Sequence, residues 1–228
     1  MNRPPSRAGT GPDERGPGPP PPGRARRVLS EDFFAPDARV VARELLGKLL
    51  VAGDGRVARL VEVEAYLGTD DPGSHAARGP TPRAAAMFGA PGRLYVYFSY
   101  GMHWCANLVC GPEGVAAAVL LRAAQPLEGL EQMAAERARG GRAPAVRDLC
   151  RGPGRLAAAF GLSGQDNGLP AVAVPGCGQR LELVDDGAGP GGQVVVTTRT
   201  GLSPARGAEL PYRFVVAASL WASGKATG

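Results

Sequence analysis

Two spacing rhythms divide the chain after residue 28. Residues 36–46, PDARVVARELL, set apolar side chains at helical spacing, and Gly47 supplies a stop, so a helix is predicted there after a short one over 30–34. The next stretch, KLLVAGDGRVARLVEVEAY, holds two β-rich runs flanking Gly-Asp-Gly, a hairpin signal. In the second run Val61, Val63 and Ala65 point one way and Glu62, Glu64 and Tyr66 the other. A loop follows, GTDDPGSHAARGP, and Thr81-Pro82 then reads as an N-cap with Pro at the first helical position, opening a short helix through Phe88. Strands are predicted over 93–99 and 102–110, around Tyr100-Gly101, and over 115–123. An amphipathic helix over 126–139 and a shorter one over 155–160 come next, then strands near 180–184, 193–198 and 212–216. Strands outnumber helices without repeated βαβ units, so the expected fold class is α+β: a single domain with a curved, mostly antiparallel sheet and peripheral helices.

Composition sets the domain limits. Residues 1–28 are Pro, Gly and Arg with almost no apolar side chain, too little to offset the entropy of ordering, so they are expected to be a disordered tail on a domain spanning 29–224. The tail has no apolar core of a secretory signal, and no run in the chain is long enough to span a membrane; a soluble intracellular protein is expected. Six arginines against Asp13 and Glu14 give the tail +4 of the net +5, leaving the domain near neutral at +1. Charge is nonetheless segregated within it: from Pro72 to Pro112 there is no Asp or Glu, while Arg78, Arg83 and Arg93 make the stretch +3. Cys105, Cys110, Cys150 and Cys177 follow no metal-ligand spacing and read as buried thiols, so neither metal nor cofactor is expected.

That acid-free stretch follows Glu64 and contains three tyrosines and both histidines of the chain. A carboxylate leading a basic, aromatic segment suits a site that grips a polyanion and performs acid–base chemistry on it. Glu64 shares a strand face with Tyr66 and precedes a loop able to wall a pocket, but Glu62 lies on the same face, and spacing does not separate them. His75 could stack on a base or bond to a purine edge. Tyr95 and Tyr97 share a face; Tyr100 and Met102 flank a tight turn, where such side chains can act as a wedge in a base stack. Arg122 closes an apolar run, and Asn107 is an unusual residue for a strand.

Taken together, VARELLGKLLV, VEVEAYLG, SHAARGPTPR, the MF…PG…LYVY segment, YGM, CANLV, VLLRAAQPLEGLE, LCRGPGRL and PYRFVVAASLWAS resemble the alkyladenine (3-methyladenine or N-methylpurine) DNA glycosylase family, from Phe33 to Ser223. The resemblance implies a site in which Glu64 is the general base activating water and Arg122 helps to hold that water. It implies aromatic walls from Tyr66, His75 and Tyr97 around a flipped purine, Asn107 crowding the guanine amino group, and Tyr100 with Met102 filling the gap in the duplex. A backbone carbonyl near Leu202 would complete the water site. The loop between His75 and Thr81 is shorter than the family pattern, and the segment after Asn107 differs in length.

The expected function is then a monofunctional DNA glycosylase acting on alkylated purines in duplex DNA: 3-methyladenine and 7-methylguanine, with hypoxanthine and ethenoadenine as further candidates. Only Lys48 and Lys225 could form a Schiff base with the sugar, and both lie outside the motif run, so water attack leaving an abasic site is expected. Arg78, Arg83 and Arg93 are the candidate phosphate contacts. The protein is expected to act as a monomer, in the cytoplasm and near the nucleoid if its source is bacterial. The competing readings are a non-catalytic nucleic-acid-binding module on the same scaffold and a hydrolase of free nucleosides.

Overall fold

The computed structural model describes residues 25–139, 141–173 and 180–224. Most of the expected tail, Cys177 and Lys225 lie outside them. Helix α1 (Ala38–Leu45) starts where the Asp37 carboxylate accepts the Arg39 N–H at 2.8 Å, and it buries Ala38, Val41, Ala42 and Leu45. At Gly47 the chain turns with φ +88°, and a Cβ would stand 2.3 Å from the Gly189 carbonyl, so only glycine fits.

Among the described residues there are nine strands: β1 (Arg27–Val28), β2 (Leu49–Ala52), β3 (Val57–Tyr66), β4 (Leu94–Ser99), β5 (His103–Val109), β6 (Ala118–Glu128), β7 (Leu181–Asp185), β8 (Val194–Thr197) and β9 (Arg213–Val216). They form one antiparallel sheet in the order β1-β7-β2-β3-β6-β5-β4, with β9 joined to β3 and β8 to β9. The α+β class is as expected. Strand β1 takes up the last two residues assigned to the tail, because Arg27 and Val28 pair with Asp185 and Val184.

Strand β3 organises the sheet. One edge pairs with β6 along its length. The other is shared, Val57–Arg59 going to β2 and Glu62–Glu64 to β9. The sheet thus forks between Arg59 and Glu62, where the register against β6 also shifts. The irregularity lets Leu60 and Val61, neighbours in sequence, both enter the main core. With β2 and β9 on one edge and β6 on the other, nine of ten β3 positions are buried, both glutamates included.

Helices α2 (Leu130–Arg137) and α3 (Pro153–Ala159) pack on each other, with α3 also on β5 and β6. The helix expected over 126–139 is shorter, since β6 runs on to Glu128. Pro126 is tolerated near the strand's end, and Gly129 makes the turn at φ +71° with Arg56 too close for a Cβ. The strand expected from 115 begins at Ala118. The Thr81 cap is present, its Oγ1 accepting the Ala84 N–H at 3.2 Å, but the turn that follows is 3₁₀, Ala85–Phe88.

Candidate active site

A cavity of about 730 Å³ opens between the end of β3, the β4–β5 hairpin, the segment carrying His75 and Arg83, and residues 200–206. Its walls include Tyr66, His75, Tyr97, Asn107, Arg122 and Thr200. Positions from Tyr66 to Arg206 meet here because β3 to β6 present their side chains on one side of the sheet and the segment between β8 and β9 folds over it.

Glu64 lies beneath these walls, fully buried. Its Oε2 accepts the Tyr66 hydroxyl at 3.0 Å and stands 3.2 Å from Arg122 Nη1. Its Oε1 accepts the Thr200 N–H at 2.8 Å and the Thr200 hydroxyl at 3.3 Å. Tyr66, Arg122 and Thr200 all line the cavity, so the carboxylate lies directly behind them, one side chain back from the cavity surface and not itself part of the lining.

Glu62 is equally buried but bound elsewhere. Its Oε1 accepts Arg122 Nε, Arg213 Nε and the Ser223 hydroxyl, each at 2.8 Å, and its Oε2 accepts the Ser223 N–H at 2.5 Å. Burial pushes the Glu62 carboxyl up, but Arg122, the Ser223 N–H and Arg213 outweigh it and hold the group below the ordinary value. The two carboxylates differ in surroundings: Glu62 is held by Arg122, Arg213 and Ser223, of which only Arg122 lines the cavity, while Glu64 is held by Tyr66, Arg122 and Thr200, all of which line it. Burial disfavours the Arg122 guanidinium, yet Glu64 and Glu62 together keep it charged and its pKa raised.

The aromatic groups form a connected set. His75 meets Tyr97 edge to face, ring centroids 4.4 Å apart, and its Nδ1 is 2.8 Å from the Tyr95 hydroxyl. Burial, then Arg83 and Arg206, bring the His75 imidazole down to about 4, so it is neutral at pH 7. Burial pushes the Tyr95 phenol up to about 12 and the Tyr66 and Tyr97 phenols higher still; all three remain protonated, and Tyr66 can donate to Glu64. Asn107 pairs with Tyr95 across the β4–β5 ladder, and its Nδ2 donates to the Tyr95 carbonyl at 2.9 Å, which satisfies an amide otherwise unfavourable in a buried strand.

At the hairpin tip, Tyr100 and Gly101 have φ of +49° and +66°, and Met102 N–H returns to the Ser99 carbonyl at 3.0 Å. Positive φ at both central positions matches the twist of the flanking strands. Tyr100 is 84% exposed and Met102 67%. Of the three arginines expected to touch phosphate, Arg83 lines the cavity with its guanidinium 5.2 Å from the Tyr97 ring centre. Arg78 and Arg93 are exposed and outside the lining; Arg93 Nη1 donates to the Gly168 carbonyl at 2.9 Å. Lys48 also lies outside the lining and pairs with Asp185 at 2.8 Å.

Leu202 is among the lining residues, and its neighbours have no local signal in the sequence. Arg199 is fully buried, gripping Asp71 through both Nη atoms at 2.6 and 2.7 Å, with its Cζ 4.6 Å from the Tyr66 ring centre. Asp71 also accepts the N–H groups of Leu67 and Gly73, tying the loop after β3 to the segment after β8. Arg206 and the Thr200 backbone are likewise not singled out from sequence, and Tyr95, placed there on one face with Tyr97, is given no role.

Comparison with known proteins shows what the chain as a whole is similar to. The family model described as methylpurine-DNA glycosylase matches residues 32–220. A protein of Burkholderia lata is 48% identical over 202 residues, covering 88% of this chain and 93% of its own. One from Koribacter versatilis is 45% identical over 201 residues (86% and 93%), and one from Leifsonia xyli subsp. xyli is 49% identical over 189 residues (80% and 85%). Each bears the name "Putative 3-methyladenine DNA glycosylase".

Proposed function

The chain belongs to the methylpurine-DNA glycosylase family, enzymes that hydrolyse N-glycosidic bonds in DNA, and we propose that it flips alkylated purines from the duplex and releases them with water activated by Glu64. The observation carrying this reading is the position of Glu64: a buried carboxylate directly behind the wall of an aromatic cavity, held by three residues that line it.

Cleavage of the bond to a purine builds positive charge on the sugar and requires a nucleophile beneath it. The carboxylate of Glu64 takes the proton of the attacking water, and its negative charge favours the oxocarbenium-like transition state. Arg122 orients Glu64 and offers further N–H groups near the cavity floor. Tyr66, His75 and Tyr97 surround the extruded base. A neutral His75 adds no repulsion to a cationic base such as 3-methyladenine or 7-methylguanine, and each tyrosine ring can contribute on the order of 1 kcal/mol of cation–π attraction. If the Tyr95 hydroxyl is the donor to Nδ1, the ring proton resides on Nε2 and is available to the base. Asn107, on the lining, limits bulk at the purine edge. Tyr100 and Met102 at the hairpin tip fill the space left in the stack, and Arg83 is the phosphate contact nearest the cavity. The Lys48–Asp185 pair favours water rather than an amine as nucleophile, and hence an abasic product with the strand intact.

The test is base release from duplex oligonucleotides carrying 7-methylguanine, hypoxanthine or ethenoadenine. Glu64→Gln is expected to lose at least about two orders of magnitude in single-turnover rate while still binding the damaged duplex. Wild-type release by this variant would overturn the assignment.

A further inference from the structure

Resting on Glu64 as the base, we propose that Glu62 is a positioning residue of the reaction, which acts through Arg122 to keep Glu64 a competent proton acceptor.

The structure contains a buried cluster of two guanidiniums and two carboxylates. Side-chain exposure is 0% for Glu62 and Glu64, 11% for Arg122 and 4% for Arg213. Within it, the two glutamates are treated unequally. Glu62 takes Nε of both arginines on a single oxygen and two further donors from Ser223. Glu64 meets only Nη1 of Arg122, at the longer distance of 3.2 Å. Arg122 Nη2 reaches the Ser223 hydroxyl at 3.3 Å, so Ser223 and Glu62 fix the guanidinium plane from behind. Arg213 stands opposite Glu64 in the β3–β9 ladder, yet it spends its Nε on Glu62, and its buried Nη2 has no hydrogen-bond partner among the described residues.

The consequence is electrostatic. A carboxylate that takes a full share of two guanidiniums is a poor base, because its anionic form is over-stabilised. Glu62 absorbs that share. The cluster is neutral, so it presents no net positive charge to the sugar as cationic character develops. Around Glu64 the other titratable and charged groups are Tyr66 on β3, Tyr97 on β4, Cys105 on β5, and Arg199 after β8. The Arg199 charge is matched by Asp71, and the phenols and thiol are held protonated by burial, which leaves Glu62 as the group balancing Arg122 and Arg213.

The experiment measures single-turnover release of 7-methylguanine from a duplex as a function of pH. This leaving group is already charged and needs no acid, so the acid limb reports the base that activates water. In Glu62→Gln both arginines bear on Glu64 alone; the rate at neutral pH is expected to fall roughly tenfold and the acid limb to move down by about one pH unit, with affinity for the duplex retained. In Arg213→Gln the cluster gains negative charge and the limb is expected to move up. The double variant restores neutrality and should return the limb toward wild type. A limb that stays in place in both single variants, or a double variant that does not return, would overturn the proposal. If Glu62→Gln fails to fold, the upward shift in Arg213→Gln still decides it. Glu64→Gln run alongside separates the two claims: full activity there removes the base assignment itself, whereas an inactive Glu64→Gln with unmoved limbs elsewhere removes only the role of Glu62.

Discussion

Buried charge is the dominant motif at the scale of residues. Arg199 and Asp71 are both at 0% side-chain exposure and meet through two hydrogen bonds. Such a pair gains little over an apolar substitute, but removing one partner leaves a desolvated charge. Asp71→Asn is therefore expected to cost about 3–5 kcal/mol of stability, read from urea unfolding, while replacing both residues with apolar side chains recovers much of it. Because Thr200 follows Arg199 and donates its N–H to Glu64, Asp71→Asn should also slow base release in the molecules that remain folded. None of this is legible along the chain. Glu64 and Tyr66 could be placed on one face by alternation alone, and their hydrogen bond follows from that face. Asp71 reads as an ordinary loop acid and Arg199 as an ordinary strand-end cation, because no periodic signal joins residues 128 apart in the chain.

Among the elements, the β4–β5 hairpin bears the clearest trade-off. A tyrosine in the left-handed region costs about 1–2 kcal/mol that glycine would not, and exposure of its ring recovers none of that in the free protein. Tyr100→Gly should raise stability by up to about 1 kcal/mol, after the entropy glycine loses on folding. It should lower release from duplex DNA by tenfold or more while leaving Glu64 and its hydrogen-bond partners in place. Opposite signs in denaturation and in activity are the check; equal activity would remove Tyr100 as the wedge. The turn itself could be anticipated from Tyr100-Gly101 between two β-rich runs. The boundary between β6 and α2 could not, because Pro126 argued for a helix start, and only the pairing with Ala58 across the sheet overrides it.

For the whole molecule, acid should act in two stages. The unfolded His75 imidazole takes a proton near 6.5 and the folded one only near 4. Between these values the unfolded state binds more protons, so stability falls as pH drops through that window. Asp186, bonded to Arg59 strongly enough to overcome burial, is held down to about 2 against an ordinary 3.8. Its contribution is present above 3.8 and is lost as pH falls toward 2. Urea midpoints measured from pH 7 to pH 2 should show both losses. The chain has two histidines, so an NMR titration can identify His75 as the imidazole that stays neutral down to about 4.

Strand β3 closes two ladders on one edge and a third on the other. A strand tied in this way cannot slide, and because side chains alternate, one residue added before Glu64 would put Val63 in its place, and one deleted would put Ala65 there. Changes of chain length are therefore tolerable in the Gly-Asp-Gly turn before it and in the loop after Tyr66, and ruinous between them. In the history of this lineage, insertions and deletions should have been purged from β3 even where substitutions were not.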